Sequence, residues 1–383
     1  MVYEISLPQK IRFCVGALNS LTDEINKLAP KRILVVTDSG VAKSGLVNAI
    51  KNQLSKIEIP FEVFSDAERE PTLSGLNVMA KELHNRHYDL LIGFGGGSSI
   101  DTAKGLSVLL SYGGSCQQYV GVDKVPGQCI PVFAIPTTAG TGSEVTNIAI
   151  FSDNEKALKL GIVSPHLLPK VAIVDPTLSY SCPQKVTAAS GIDALVHAIE
   201  SYTSIKANNF TDALALKAIE LIAGSLKVAV SNGADAEARN HLSEGALFAG
   251  ISFCNAGVAA VHALAYPLGG KFHISHGVAN GLLLPYVMEC NLSSNFQKYS
   301  VISRLLGENT EGVSLPEAAE RGVRAIKALV NDIDIPLRLR DLGVPQEDLE
   351  GMALATMEVT RLLANNPKKL TLDDVREIWQ NAW

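Results

Sequence analysis

The sequence predicts a two-domain protein: an α/β N-terminal domain with a parallel sheet over residues 1–183, then an all-α domain over residues 184–383. Three observations carry this. Short apolar runs alternate with amphipathic stretches through the first half, the signature of βαβ units. Those runs are apolar throughout rather than at every second residue, so both faces of the strands are buried. Beyond Pro183 the β-branched runs give way to long Ala/Leu-rich helical patterns.

The elements follow in order. Arg32–Thr37 is a β-branched run ended by Asp38-Ser39-Gly40, and Val41–Ile57 continues as an amphipathic helix. Phe61–Phe64 reads as a strand, Leu73–Arg86 as a helix, and Asp89–Phe94 as a buried strand. Gly95-Gly96-Gly97-Ser98 breaks that strand, and Ser99–Leu110 is helical. Ile130–Ile135 and Val171–Val174 close the strand set. In the second half Thr211–Ser231 and Ala234–Phe253 are long helices, and Leu372–Trp383 is one more short helix.

The bulk properties remove several function classes. The 383 residues are 47% hydrophobic with a net charge of −6, and no basic run is interleaved with aromatics, so nucleic acid is not expected as a partner. Six scattered cysteines without a C-x-x-C pair suit reduced thiols in a cytoplasm. No signal peptide is evident and no run of about 20 apolar residues is present, so a membrane partner is not expected and a soluble cytoplasmic protein is.

Candidate chemistry sits in two places. Asp193 and His197 are spaced i to i+4, which puts both side chains on one face of a helix. His262 and His276 follow in a second His-rich stretch. One carboxylate and three imidazoles form a ligand set for a divalent transition metal with room left for substrate. In the first half, Gly95, Gly96, Gly97 and Ser98 lie between a strand and a helix, where close backbone approach and free N–H groups suit a phosphate. Asp38 ends the first strong strand and can accept hydrogen bonds from a ribose 2′-hydroxyl, which favours NAD over NADP. Here the acid precedes the glycines, the reverse of the ordinary dinucleotide fingerprint. The hydroxyl-rich run Pro136–Thr146 offers further donors to phosphate, ribose or a nicotinamide carboxamide.

Read together, Gly95–Lys104, Pro136–Thr146, Gly191–Glu200 and His262–Gly270 with His276–Asn280 resemble the iron-dependent (group III) alcohol dehydrogenases, over essentially the whole chain. The resemblance implies a dinucleotide-binding α/β domain, a helical metal domain of the dehydroquinate synthase-like kind, catalysis between them, Fe²⁺ or sometimes Zn²⁺, and a homodimer. It carries the metal ligands onto Asp193, His197, His262 and His276. It carries cofactor contacts onto Asp38, Gly95, Gly96, Gly97, Ser98, Asp101, Thr137, Thr138, Thr141, Thr146, Lys159 and Leu178. The implied reaction is reversible hydride transfer between a small primary alcohol or aldehyde and NAD(H).

Two positions differ from the common pattern. Tyr266 stands where many members have a proton-relaying histidine, and Glu70-Pro71-Thr72 replaces Asn-Pro-Thr. His273, three residues before His276, and Tyr266, at i+4 from His262, are therefore the expected proton carriers, with water and the cofactor ribose as the other path. Glycerol dehydrogenase, maleylacetate reductase and a dehydroquinate synthase-like lyase are the related alternatives. The lyase would need basic residues around a phosphate-bearing substrate, and the 262–277 stretch offers Lys271 alone. A non-catalytic NAD-binding module and a hydrolase built on Cys254 and His262 are the remaining readings.

Overall fold

Nine strands are present among the described residues, 3–155 and 158–383, of a computed structural model: β1 (Lys10–Phe13), β2 (Ile33–Asp38), β3 (Phe61–Ala67), β4 (Leu90–Gly95), β5 (Gly121–Val122), β6 (Val132–Pro136), β7 (Ile148–Asp153), β8 (Leu158–Val163) and β9 (Val171–Val174). Six of them form a sheet in the order β1-β9-β6-β4-β2-β3, and every pair in it is parallel. The other three form a small sheet in which β7 and β8 are antiparallel and β5 runs parallel to β8.

Alternation along the central strands explains why they read as unbroken apolar runs. Leu34 and Val36 of β2 and Leu91 of β4 face one core, with Leu73, Leu76 and Leu83 of helix α4 (Leu73–Leu83), once α1 (Leu21–Leu28), α2 (Ser39–Lys43) and α3 (Val47–Leu54) are counted before it. Ile33 and Val35 of β2 and Leu90, Ile92 and Phe94 of β4 face the opposite core, with Leu21 and Ile25 of α1 and Val47, Ile50 and Leu54 of α3. Both faces are dry, as a parallel sheet flanked by helices requires.

The long helix expected over Val41–Ile57 is two. Gly45 takes φ +80°, a left-handed conformation that ends α2 and lets α3 start afresh at Val47. The helix after the glycine loop, α5 (Gly97–Tyr112), starts two residues earlier than Ser99 and runs two beyond Leu110. The β7–β8 hairpin and β1 are additions to the expected strand set, and their half-buried faces explain why no continuous apolar run announced them.

The described residues form two compact units, one of Ile5–Cys182 and one of Pro183–Trp383 together with residues 3–4. Beyond Pro183 the described residues carry no strand. Ten helices follow: α6 (Gln184–Thr203), α7 (Asn209–Ser231), α8 (Ala236–Ala256), α9 (Ala260–Phe272), α10 (His276–Asn291), α11 (Phe296–Leu305), α12 (Leu315–Asp332), α13 (Leu349–Met357), α14 (Thr360–Leu363) and α15 (Leu372–Ala382). Asn208 caps α7 through Phe210 N and Thr211 N, and Asp235 caps α8 through Ala238 N. No single helix among the described residues is long and apolar enough to cross a membrane, and no disulfide joins the six cysteines.

Candidate metal centre and cofactor-binding loops

Three helices of the second unit bring the metal candidates together. Asp193 and His197 lie one turn apart on α6, His262 lies in the first turn of α9, and His276 is the first residue of α10. Ligand atoms of Asp193, His262 and His276 all lie within 4.8 Å of one another. Asp193 Oδ1 is 3.8 Å from Nε2 of both histidines. Asp193 and His262 are buried, whereas the His276 side chain is 30% exposed and marks the open side. His197 is outside that triplet: its ring stacks at 4.2 Å on Phe253 and at 4.7 Å on His262.

Electrostatics keep the carboxylate charged. Burial alone would raise the Asp193 carboxyl, but His197, His276 and His262, together with the amide of Asn280, outweigh it and hold it at about 2. Asn280 is the residue that motif spacing alone did not single out. Its Nδ2 lies 2.6 Å from Asp193 Oδ1, 3.2 Å from His262 Nε2 and 3.1 Å from His276 Nε2. An amide nitrogen has two hydrogens, so three acceptors exceed what it can satisfy. Its Oδ1 is buried with no hydrogen-bond partner among the described residues. One carboxylate oxygen and two imidazole nitrogens are gathered at one place, and such a donor set fits a divalent transition metal.

Glu200 also went unassigned in the sequence, although it sits on the same α6 face, seven residues after Asp193. It is buried, and its Oε2 lies 2.6 Å from His262 Nδ1.

The two proton-relay candidates differ in setting. His273 is exposed and closes α9 in a left-handed conformation, φ +54°. Tyr266 is buried and packs in an apolar cluster with Ala263 and Leu362.

In the first unit the cofactor candidates gather at the carboxyl ends of β2 and β4. From β2 the chain passes to β3 on one side and then crosses to β4 on the other, so the strand order reverses between β2 and β4. That reversal is where ligands enter open α/β sheets. Asp38 Oδ1 accepts from Gly40 N at 2.8 Å and Val41 N at 3.1 Å, and its Oδ2 accepts from Ser99 Oγ at 3.1 Å. The acid is thereby fixed against the glycine loop. No side chain caps the N-terminus of α5 at Gly96, which leaves its first N–H groups for an anion.

The threonine loop is built around this turn. Thr137 N donates to Gly95 O at 2.9 Å. A Cβ on Gly97 would lie 2.8 Å from Thr141, and one on Gly96 would lie 3.6 Å from Thr138, so both threonines face the glycines. Lys104, fully buried, donates from Nζ to Ser143 Oγ, to the Thr146 carbonyl at 2.8 Å and hydroxyl at 3.1 Å, and to the Ile148 carbonyl at 2.8 Å. Asp101 accepts from Ser143 Oγ with one oxygen and from Ile150 N of β7 with the other, so it ties the loop to that strand. Lys159 pairs with Glu70 at 2.5 Å, engaging one of the positions that depart from the common pattern. Leu178 is buried in the core with Ile135 and Ile173.

Comparison with known proteins agrees with this geometry along the chain. A family model described as iron-containing alcohol dehydrogenase matches residues 8–176, and one described as the C-terminal part of the Fe-containing alcohol dehydrogenase family matches residues 187–383. The chain is 42% identical over 371 residues to long-chain-alcohol dehydrogenase 1 of Geobacillus thermodenitrificans, covering 96% of this chain and 93% of that one. It is 36% identical to the lactaldehyde reductase of Escherichia coli K12 over 385 residues, with both chains fully covered. The crystal structure of a 1,3-propanediol oxidoreductase superposes with a TM-score of 0.96 at 36% identity, again with both chains fully covered. Both halves are matched, in order and nearly end to end, and the chain belongs to the iron-containing alcohol dehydrogenase family.

Proposed function

We propose that this protein interconverts a small primary alcohol and its aldehyde with NAD(H) as hydride partner, using a divalent metal, Fe²⁺ in the first instance with Zn²⁺ as the other candidate, held by Asp193, His197, His262 and His276. The observation that carries the reading is the convergence of Asp193, His262 and His276 within 4.8 Å. When bound, the metal supplies Lewis acidity toward the substrate oxygen and the nicotinamide accepts or gives the hydride.

The chain's own residues do the rest. Asp193 remains ionised and offsets cationic charge in a buried site. His197 stacks on both Phe253 and His262, one helical turn from Asp193, and is the fourth ligand of the proposed set. Asp38 receives the adenosine ribose hydroxyls and, being negative, disfavours a 2′-phosphate. Gly95, Gly96, Gly97 and Ser98 lay backbone N–H groups along the pyrophosphate at the start of α5. Thr137, Thr138, Thr141 and Thr146 orient ribose and carboxamide groups. Asp101 acts by holding that loop. Lys159 and Leu178 border the cofactor. His273, exposed at the end of α9, passes the proton to water, with Tyr266 the second candidate.

A homodimer is part of the same proposal, as is a cytoplasmic setting, in which the six scattered cysteines, none in a C-x-x-C pair, would stay reduced. The test is a NADH-consumption assay with short aldehydes on protein stripped with a chelator and then reloaded with Fe²⁺ or Zn²⁺. Activity should vanish with the metal and return with it. Full turnover by metal-free protein refutes the reading.

A further inference from the structure

We propose that Glu200 is a positioning residue for the metal centre: it fixes the tautomer of His262 and holds the start of the helix that carries it. The inference rests on the metal site proposed above.

Glu200 projects from α6, whereas His262 belongs to α9, 62 residues later. Its Oε2 meets His262 Nδ1 at 2.6 Å and also accepts from Ala259 N at 2.9 Å. Its Oε1 accepts from Val261 N at 2.6 Å. Helix α9 has no side-chain cap of its own, and Ala259 is its N-cap. The carboxylate from α6 therefore caps α9 from outside, where free N–H groups and the helix dipole favour a negative charge.

The consequence for His262 is chemical. Each oxygen of the Glu200 side chain already accepts from a backbone N–H, so His262 Nδ1 is placed as the donor of the pair and carries the proton. Nε2 then carries its lone pair, and Nε2 is the atom that faces Asp193 Oδ1 at 3.8 Å. A carboxylate behind an imidazole ligand sets its orientation and raises its basicity, an effect on metal affinity of about 10- to 100-fold. Asp193 is held by a different partner, the amide of Asn280.

Glu200→Gln discriminates this role from simple packing. Glutamine keeps the volume, but an amide turned to accept from Val261 N puts its own N–H on the His262 side. That favours the opposite tautomer, with the proton on Nε2 and no lone pair for the metal. Full-length wild type and variant are titrated with Co²⁺ and Zn²⁺ against a competing chelator, and the Co²⁺ visible spectrum is recorded. The variant should bind either metal about 10- to 100-fold more weakly with a changed Co²⁺ spectrum. Glu200→Asp, which keeps the charge, should recover part of the loss. Wild-type affinity and spectrum in Glu200→Gln, even with a lowered melting temperature, overturn the inference while leaving the metal site standing. A wild-type protein that binds neither metal overturns the site and the inference together. Nitrogen NMR of histidine-labelled, zinc-loaded wild type gives a check free of any folding defect. His262 should show a protonated Nδ1, and a protonated Nε2 refutes the assignment.

Discussion

Gly277→Ala reports on how tightly the metal site depends on backbone contact. Gly277 follows His276, a proposed ligand, in the first turn of α10 and is buried against α6. A Cβ there would lie 2.0 Å from the Ala189 carbonyl oxygen and 2.6 Å from its carbon. Both are backbone atoms, so no rotamer change relieves the contact. To reach the 3.0 Å that real Cβ atoms respect, the start of α10 must retreat from α6 by about 1 Å. Asp193 is four residues along α6 from Ala189, and its Oδ1 faces His276 Nε2 at 3.8 Å. Metal–ligand distances tolerate about 0.2 Å, so a retreat of that size removes His276 from the set. The expected destabilisation is about 1–3 kcal/mol, the range for overpacking a tight contact. The expected loss of turnover is on the order of 100-fold, the scale of a 1 Å misplacement at a reacting centre. Chelator competition gives metal affinity, thermal melts give stability, and the NADH assay gives turnover. Gly224→Ala is the control: nothing lies within 4 Å of its added Cβ on an exposed face of α7, and it should stabilise by about 0.5–1 kcal/mol. If Gly277→Ala keeps wild-type metal affinity and turnover, the site does not depend on this α6–α10 approach.

Three further outcomes are expected. Asp38→Asn keeps an acceptor for Gly40 N and Val41 N but removes the charge; its melting temperature should hold while NADPH use rises relative to NADH, and an unchanged cofactor ratio would remove Asp38 from cofactor selection. Lys104→Met leaves the carbonyls of Thr146 and Ile148 without their buried donor; unfolding free energy should fall by about 2–4 kcal/mol and NADH affinity with it, as denaturant titration and fluorescence binding would read, and a stable variant with full affinity would show that the loop is held otherwise. Burial alone would raise the Glu24 carboxyl, but hydrogen bonds from Arg12, Lys10 and Lys27 hold it at about 2 against an ordinary 4.5. A folded pKa below the unfolded one means its contribution is complete above pH 4.5 and is lost as pH falls toward 2. Its three partners are partly exposed, so about 1 kcal/mol is at stake, and Glu24→Gln should flatten the melting temperature over that window; an unaltered slope would place the acid sensitivity elsewhere.

The strands most legible in the sequence are those buried on both faces. Ile33–Val36 and Leu90–Phe94 alternate between two apolar cores, so every residue is apolar and the run stands out. Lys10–Phe13 is an edge strand of mixed polarity, and Ile148–Asp153 with Leu158–Val163 is only half buried, so neither left a continuous signal. The break in the Val41–Ile57 helix depended on one backbone angle at Gly45, which composition leaves open because glycine adopts either hand at little cost. The inverted order of acid and glycines has a topological cause. Asp38 and Gly95 end adjacent strands, β2 and β4, with β3 on the far side of β2, so the acid comes first along the chain and yet lies beside the glycines in space.

The same division between local and distant geometry runs through the metal site. Asp193 and His197 were readable because α-helical periodicity fixes their relation within one element. His262 and His276 were readable as residues, but their approach depends on the reversal between α9 and α10, where His273 adopts φ +54°. Glu200 and Asn280 were hidden for a different cause. Each lies on a ligand-bearing helix at helical spacing from a ligand, seven residues after Asp193 and four after His276, and so shared its face throughout. What spacing could not convey is that each also meets a partner on another helix, 62 residues away for Glu200 and 87 for Asn280. A ligand is recognised by its own chemistry, whereas a residue that orients a ligand is recognised only by what it touches. That is why four candidate ligands could be named from one chain, and why the carboxylate that decides which nitrogen of His262 faces the metal could not.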